Sequence, residues 1–213
     1  LELLRAAGHT VRDVSARDAQ WAEVLNESAD VVAAAGGDGT VARVAKAMLG
    51  RGEFGEAVRW ARLALETPRN PFPARSGYDL AVALQQTGDV AGAVRALREV
   101  RPPEDSDVVV WLQFGRLAAE LNAPDVAEPF LRRAVAVAPA NAAAHQMLAI
   151  DLLVLGRFDE AAREFNATLA LQPRNADALA MLAVCEQRLG RVADARAHAE
   201  AAIAIAPRHP IAS

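Results

Sequence analysis

Apolar residues fall along this chain in pairs of amphipathic stretches separated by a glycine. In residues 141–175, NAAAHQMLAIDLLVLGRFDEAAREFNATLALQPRN, Leu148, Ala149 and Leu152 have the i, i+1, i+4 spacing that a 3.6-residue period makes contiguous. Gly156 then supplies the residue with which a right-handed helix ends. Ala161, Phe165 and Thr168 follow at i, i+4 and i+7, again one helical face, and Pro173 closes the stretch. The pattern predicts helix, tight turn, helix, and it recurs every 34 residues. With copies opened at Ala74, Val108, Ala142 and Ala176, position 7 is Leu80, Phe114, Leu148 and Leu182. Position 8, where a small side chain lets two helices approach, is Ala81, Gly115, Ala149 and Ala183. Position 20 is Ala93, Ala127, Ala161 and Ala195, and position 32 is Pro139, Pro173 and Pro207 in the last three copies. In the first copy Pro102 and Pro103 come slightly early, and Trp111 fills an aromatic slot at position 4.

Residues 1–40 follow another pattern. A helix tail over 1–7 stops at Gly8, and residues 10–15 alternate apolar and polar with Val11 and Val14, as a strand does. Residues 19–26 read as a short helix with Trp21, Val24 and Leu25 inward, and 30–35 as the near-continuous apolar run of a buried parallel strand. That run enters Gly36-Gly37-Asp38-Gly39-Thr40, after which a helix is predicted. Strand, helix, strand, glycine-rich turn and helix make a crossover unit, expected to be right-handed. A repeat opened at Asp38 also fits the 34-residue frame, with Val44 and Ala45 at positions 7 and 8, Gly52 at 15 and Ala57 at 20. The helix after the glycine-rich turn therefore doubles as the first helix of a fifth repeat, with a two-residue insertion around Pro71-Phe72-Pro73 before the next.

On these positions the chain from residue 38 onward resembles the tetratricopeptide repeat family, whose period is 34 residues. The resemblance implies stacked helix pairs with an inner face built from the first helix of each pair. The stretches AAGHTVRDVSA and ADVVAAAGGDGTVARVAKAML in turn resemble the nucleotide-binding part of the diacylglycerol kinase family of lipid kinases, and GGDGT is shared with NAD kinases. That resemblance implies that Gly36, Gly37, Asp38, Gly39 and Thr40 contact ATP phosphates, with magnesium. Glycines expose backbone N–H groups there and a helix N-terminus adds positive potential. The sequence departs from the kinase family after this helix. Where that family continues into a further strand and a Gly-Thr-x-Asn motif, this chain runs Arg51-Gly52-Glu53-Phe54-Gly55-Glu56-Ala57, in the repeat pattern. A phosphate loop without a base or a metal clamp does not transfer phosphoryl groups. The alternative for the loop is a turn that joins Ala35 to the first repeat helix. The expected fold is mostly α: a solenoid of tetratricopeptide helix pairs over 41–213 with a short truncated βαβ unit over 1–40, and repeats opening near 38, 74, 108, 142 and 176.

At 213 residues the chain can bury a sizeable core, and a formal net charge of -4 gives no basic face for nucleic acid. A single cysteine, Cys185, cannot pair within the chain, which points to a reducing, cytoplasmic setting. No apolar run approaches the ~18 residues of a membrane span. Leu1 opens in mid-helix instead of on methionine, so the natural N-terminus is expected upstream, and no signal peptide is visible. The richness in alanine and arginine has a bacterial look.

Among candidate sites, His9, His145, His198 and His209 are scattered without a second ligand at helical spacing, so no metal is expected. His145 occupies a position-4 packing slot, and Cys185 reads as a packed thiol with no Lys or His to activate it. Asp159, Glu160 and Glu164 read as a solvated helix face, and no catalytic residue or required cofactor is assigned. The inner face at positions 2, 5, 9 and 12 brings Tyr78, Val82, Gln85, Leu112, Arg116, Gln146, Ile150 and Gln187 together with Val109, Leu153, Asp177 and Val184. This mixed apolar and amide surface resembles a groove for a peptide or a partner protein. The Lys/Asn/Arg carboxylate clamp of chaperone-binding family members is replaced by Tyr78, Val82, Gln113, Ala143 and Met147. The expectation is an interaction scaffold, with an incomplete lipid-kinase-like or NAD-kinase-like ATP-binding protein as the alternative. Weak self-association is expected through residues 192–211, where Ala195, Ala199, Ala202 and Ile203 are read as facing their own repeat and Val192 and Ile205 as uncovered.

Overall fold

A computed structural model describes residues 40–67 and 70–206. The expected elements at 1–7, 10–15, 19–26 and 30–35, the loop residues Gly36, Gly37, Asp38 and Gly39, and residues 207–213 lie outside the described residues. The chain divides into two compact units, Leu1–Pro103 and Glu104–Ser213. The first contains α1 (Thr40–Gly50), α2 (Phe54–Glu66), α3 (Pro73–Gln86) and α4 (Val90–Glu99). The second contains α5 (Val108–Glu120), α6 (Pro124–Val137), α7 (Ala142–Val154), α8 (Phe158–Leu171), α9 (Ala176–Arg188) and α10 (Val192–Ile205). Among the described residues every regular element is helical and there is no strand. The fold is the α-solenoid class of tetratricopeptide helix pairs.

The turn inside each pair is set by one residue in the left-handed region. Gly52, Gly88, Gly156 and Gly190 sit at φ of 76°, 84°, 74° and 77°, and Asn122 takes the equivalent place at 54°. A Cβ at such a φ crowds the following carbonyl, so glycine is favoured and asparagine is the tolerated exception. The first helices of the second unit are capped at the same 34-residue interval. Asp107, Asn141 and Asn175 accept hydrogen bonds from the backbone N–H of Val109, Ala144 and Ala178 at 2.8, 3.1 and 3.0 Å. Each cap satisfies a donor that the helix cannot pair internally, worth about 1 kcal/mol. In the first unit the Pro-Phe-Pro insertion is held by Asn70. Its side chain donates to the Ala64 carbonyl (2.9 Å) and Ser76 Oγ (3.0 Å), and accepts from Phe72 N–H (2.9 Å).

Close helix approach comes from small residues at fixed register. Ala57, Ala93, Ala127 and Ala161 are each fully buried. A Cβ on Gly115 would lie 2.5 Å from the nearest Leu131 methyl, so this position has no room even for alanine. Larger side chains fill what remains. Val44, Met48, Ala57 and Ala83 form a cluster in the first unit with Trp60 against it. In the second unit Leu148, Leu152, Phe165 and Leu182 are buried, and Phe130 sits 6.5 Å from the Trp111 ring and 5.3 Å from that of Phe114. The Trp111 indole N–H donates to the Ser106 carbonyl at 3.1 Å, which satisfies its one polar group.

Two readings of α8 and α10 need correction. Glu160 and Glu164 are not simply solvated. Glu160 pairs with Arg132 (2.8 Å) and Arg157 (2.6 Å), and Glu164 Oε2 lies 2.6 Å from His145 Nδ1. In α10 the two isoleucines exchange roles: Ile205 packs against Leu179, Ala180 and Ala202, while Ile203 is 40 % exposed. Ala195 and Ala202 are buried and only the isoleucine differs from the pattern, because alanine marks both the buried and the exposed positions of this helix.

Candidate functional site

The residues expected on an inner face lie on the first helices of the pairs, and the buried stripe of each helix determines which side chains remain outside. In α7, Leu148, Ala149 and Leu152 are buried, so Gln146, Ile150 and Leu153, at i, i+4 and i+7, take the opposite side. Ile150 is 39 % exposed, and Gln146 and Leu153 are half-buried. Gln146 is held in orientation, because the Asn175 amide donates to its Oε1 at 3.0 Å. In α5, Leu112 is half-buried, and Arg116 is exposed with its guanidinium 3.6 Å from Glu120. In α9, Val184 is half-buried and Gln187 exposed. Helix α7 touches both α5 and α9, so these five site residues share one unit and neighbouring helices. The remaining three, Tyr78, Val82 and Gln85, are half-buried on α3 of the first unit, where the Arg75 guanidinium lies 5.5 Å from the Tyr78 ring centre. Thr40 of the glycine-rich loop opens α1.

Groups that might have carried chemistry are occupied by structure. Both His145 nitrogens are engaged, Nδ1 with Glu164 and Nε2 with the Pro139 carbonyl at 2.9 Å, so the ring ties α7 to α8 and to the preceding loop. Burial, followed by Glu186, pushes the Cys185 thiol up to about 11, well away from a reactive thiolate. No group of three His, Cys, Asp or Glu able to hold a metal occurs among the described residues. No described helix is long and apolar enough to cross a membrane.

Two charged features were not legible beforehand. Along the second helices, Glu128 accepts from Arg132 (2.8 Å) and from Arg157, and Asp159 pairs with Arg191 (2.9 Å). Burial alone would raise the Glu128 carboxyl, but the two guanidiniums outweigh it and hold the group below its ordinary value. Arg132 and Glu128 are four residues apart on one helix, but Arg132–Glu160, Arg157–Glu128 and Arg191–Asp159 are separated by 28 to 32 residues, nearly one repeat, which is how the ladder could have been found in the sequence. Beside it Asp151 is buried, its Oδ2 meeting no protein donor, and burial with the nearby Glu128 and Asp125 pushes it up to about 7. A lone acidic residue in an apolar helix gives no such signal.

Comparison with known proteins agrees with the helix pairs. Residues 146–210 match the family described as Tetratricopeptide repeat, and residues 2–108 match the Diacylglycerol kinase catalytic domain. Among solved structures, the crystal structure of YrrB, "a TPR protein with an unusual peptide-binding site", is similar with a TM-score of 0.67 at 22% identity, covering 83% of this chain and 90% of that one. A MamA crystal structure has a TM-score of 0.61 at 17% identity, over 79% of this chain and 91% of that one. MamA from Desulfovibrio magneticus RS-1 has a TM-score of 0.60 at 20% identity, over 84% and 99%. No curated protein matches the sequence. Through the half of its length at residues 2–108 the chain belongs to the diacylglycerol kinase catalytic domain family, while residues 146–210 match the tetratricopeptide repeat and the described helices have that repeat's fold. The described part of that half, from Thr40 onward, consists of helix pairs.

Proposed function

We propose that this protein is an interaction scaffold that binds a peptide or partner protein against the first helices of its pairs, through Leu112, Arg116, Gln146, Ile150 and Gln187 in the second unit and Tyr78, Val82 and Gln85 in the first. The observation that carries the reading is the side of α7 bearing Gln146, Ile150 and Leu153. Its side chains remain accessible although Leu148, Ala149, Asp151 and Leu152 between them are packed away. A solenoid buries only the faces its neighbours cover, and within the second unit this leaves part of the first helices α5, α7 and α9 open to a partner. The repeat solenoid occupies residues 41–213, with a smaller kinase-like segment over 1–40, and the setting is cytoplasmic. Affinity capture with the full chain tests the reading. Proteins retained by the wild-type chain should be lost with Leu112→Glu/Ile150→Glu and kept with Arg163→Glu on α8, where Arg163 is exposed. Retention indifferent to the double substitution would refute it.

The match over residues 2–108 favours a second reading, an ATP-binding protein of lipid-kinase-like or NAD-kinase-like descent using Gly36, Gly37, Asp38, Gly39 and Thr40 as its phosphate loop. Helix pairs follow that loop from α1 onward, so phosphate contact without phosphoryl transfer is expected. Calorimetric titration with ATP and magnesium, and a kinase assay on diacylglycerol and NAD, test it. Binding lost on Asp38→Ala would support the nucleotide site, and turnover lost on Asp38→Ala would make the protein an enzyme.

A further inference from the structure

We infer that the uncovered side of α10 is a contact for a second copy of this chain, in which two α10 helices pair antiparallel about a twofold axis level with residue 198. The 34-residue frame shows which side is meant. Leu169 on α8 packs against the cluster that Leu179 and Ala180 of the following α9 form with Ala202. Ile203 has the same place on α10 and is exposed, and no helix pair follows α10 among the described residues. Ala162 is likewise buried on α8, whereas its equivalent Arg196 is exposed. Val192, Arg196, Ala199 and Ile203 stand at i, i+4, i+7 and i+11, so they share one stripe, with Glu200 beside Arg196. His198 points away from this stripe, its Nδ1 2.8 Å from Glu186 on α9. The contact uses none of the residues on which the scaffold reading stands.

Charge and size identify the occupant. Arg196 and Glu200 lie 2.8 Å apart, both mostly exposed, in the order base then acid. On α6 the equivalent residues, Glu128 and Arg132, cross to Arg157 and Glu160 of the next second helix. A copy stacked head to tail in that register would present Glu53 to Arg196 but Glu56 to Glu200, one match and one clash. An antiparallel α10 presents Glu200 to Arg196 and Arg196 to Glu200, so both contacts match, as an isologous interface requires. The side chains match in size as well. Residues equidistant from the axis set Val192 against exposed Ala204 and Ile203 against exposed Ala193, a large one against a small one each time. A helix of 14 residues offers a strip about 20 Å long and 10 Å wide, far short of the ~800 Å² per partner of a stable complex. The association is therefore weak, and its exposed ion pairs make it sensitive to salt.

Sedimentation velocity of the full chain over a wide concentration range tests the pairing. The wild-type chain should form a reversible dimer that added salt weakens. Arg196→Glu alone and Glu200→Arg alone should each weaken it at least about tenfold, because like charges then face one another twice. The double exchange Arg196→Glu/Glu200→Arg should restore the dimer. So should an equimolar mixture of the two single variants, which form both crossing pairs only with each other. Single variants that dimerise like the wild type, or a mixture that stays monomeric, would overturn the antiparallel pairing. A wild-type chain that is monomeric throughout would overturn the contact itself. Species that grow beyond the dimer with concentration would show head-to-tail stacking in its place and overturn it too. Partner capture through Leu112 and Ile150 is read separately and stands or falls by its own variants.

Discussion

Asp151 shows at the scale of one residue how the repeat tolerates an unfavourable group. Its side chain is 4 % exposed, Oδ2 has no protein donor, and burial with Glu128 and Asp125 raises the carboxyl to about 7 from 3.8. In the unfolded chain the group ionises near its ordinary value, so between about pH 4 and pH 7 the native state holds the proton more tightly. Its contribution to stability is fully present below the unfolded value and is lost as pH rises through about 7. Asp79, also raised by burial against the partial offset of Arg75, acts in the same direction. Replacing Asp151 with Asn should leave stability near pH 4 almost unchanged and raise it by up to ~4 kcal/mol at pH 8.5. Urea melts at the two pH values check this, and an Asp151→Asn chain with the wild-type pH profile would contradict it. The structural contribution of His145 was legible in the sequence because its register position demanded packing. Asp151 was not, because helical period says that a residue is buried but not whether anything pairs with it.

At the scale of the element, a helix pair depends on residues whose merit is being small or left-handed. The glycine turns and the position-20 alanines were readable from the 34-residue frame, since only a few residue types suit those places and the same types recur. The exception at Asn122 was not readable, because asparagine is ordinary in a loop and reveals its φ of 54° only in the fold. The α10 stripe was misread for a related reason: in an alanine-rich helix hydrophobicity scarcely distinguishes inside from outside, so Ile203 and Ile205 could not be separated by pattern. Gly115 gives the sharpest test of the pair geometry. A methyl group there meets the Leu131 side chain at 2.5 and 2.7 Å, and Leu131 is itself buried. Gly115→Ala should therefore destabilise the second unit by about 1–3 kcal/mol, although alanine is the better helix former. Thermal melts of the single variant decide it, and a stabilised Gly115→Ala would mean that α5 and α6 are not packed as described.

For the molecule as a whole, sequence periodicity foresaw the helix pairs, because they follow from a repeat that must cover one side of each helix with the next. The kinase-like segment was recognised by motif and family, not by any structural consequence in the described residues, and so its function rests on separate experiments. Self-association through α10 is a proposal at this scale. Val192 is 68 % exposed and Ile203 40 %, modest apolar areas that favour weak contacts over insolubility. Sedimentation velocity should show reversible, concentration-dependent dimerisation that Val192→Lys/Ile203→Lys abolishes. A sedimentation coefficient independent of concentration in both proteins would show that the face is inert.

The most direct test of the interaction face is to place a photo-crosslinking amino acid at position 150, in place of exposed Ile150 on α7, and separately at position 163, in place of exposed Arg163 on α8. Irradiation in the cellular extract from which partners are captured should give crosslinked protein or peptide adducts at position 150, competed away by excess unlabelled full chain, and none at position 163. Adducts at 163 with none at 150 would place recognition on the second helices and contradict the account.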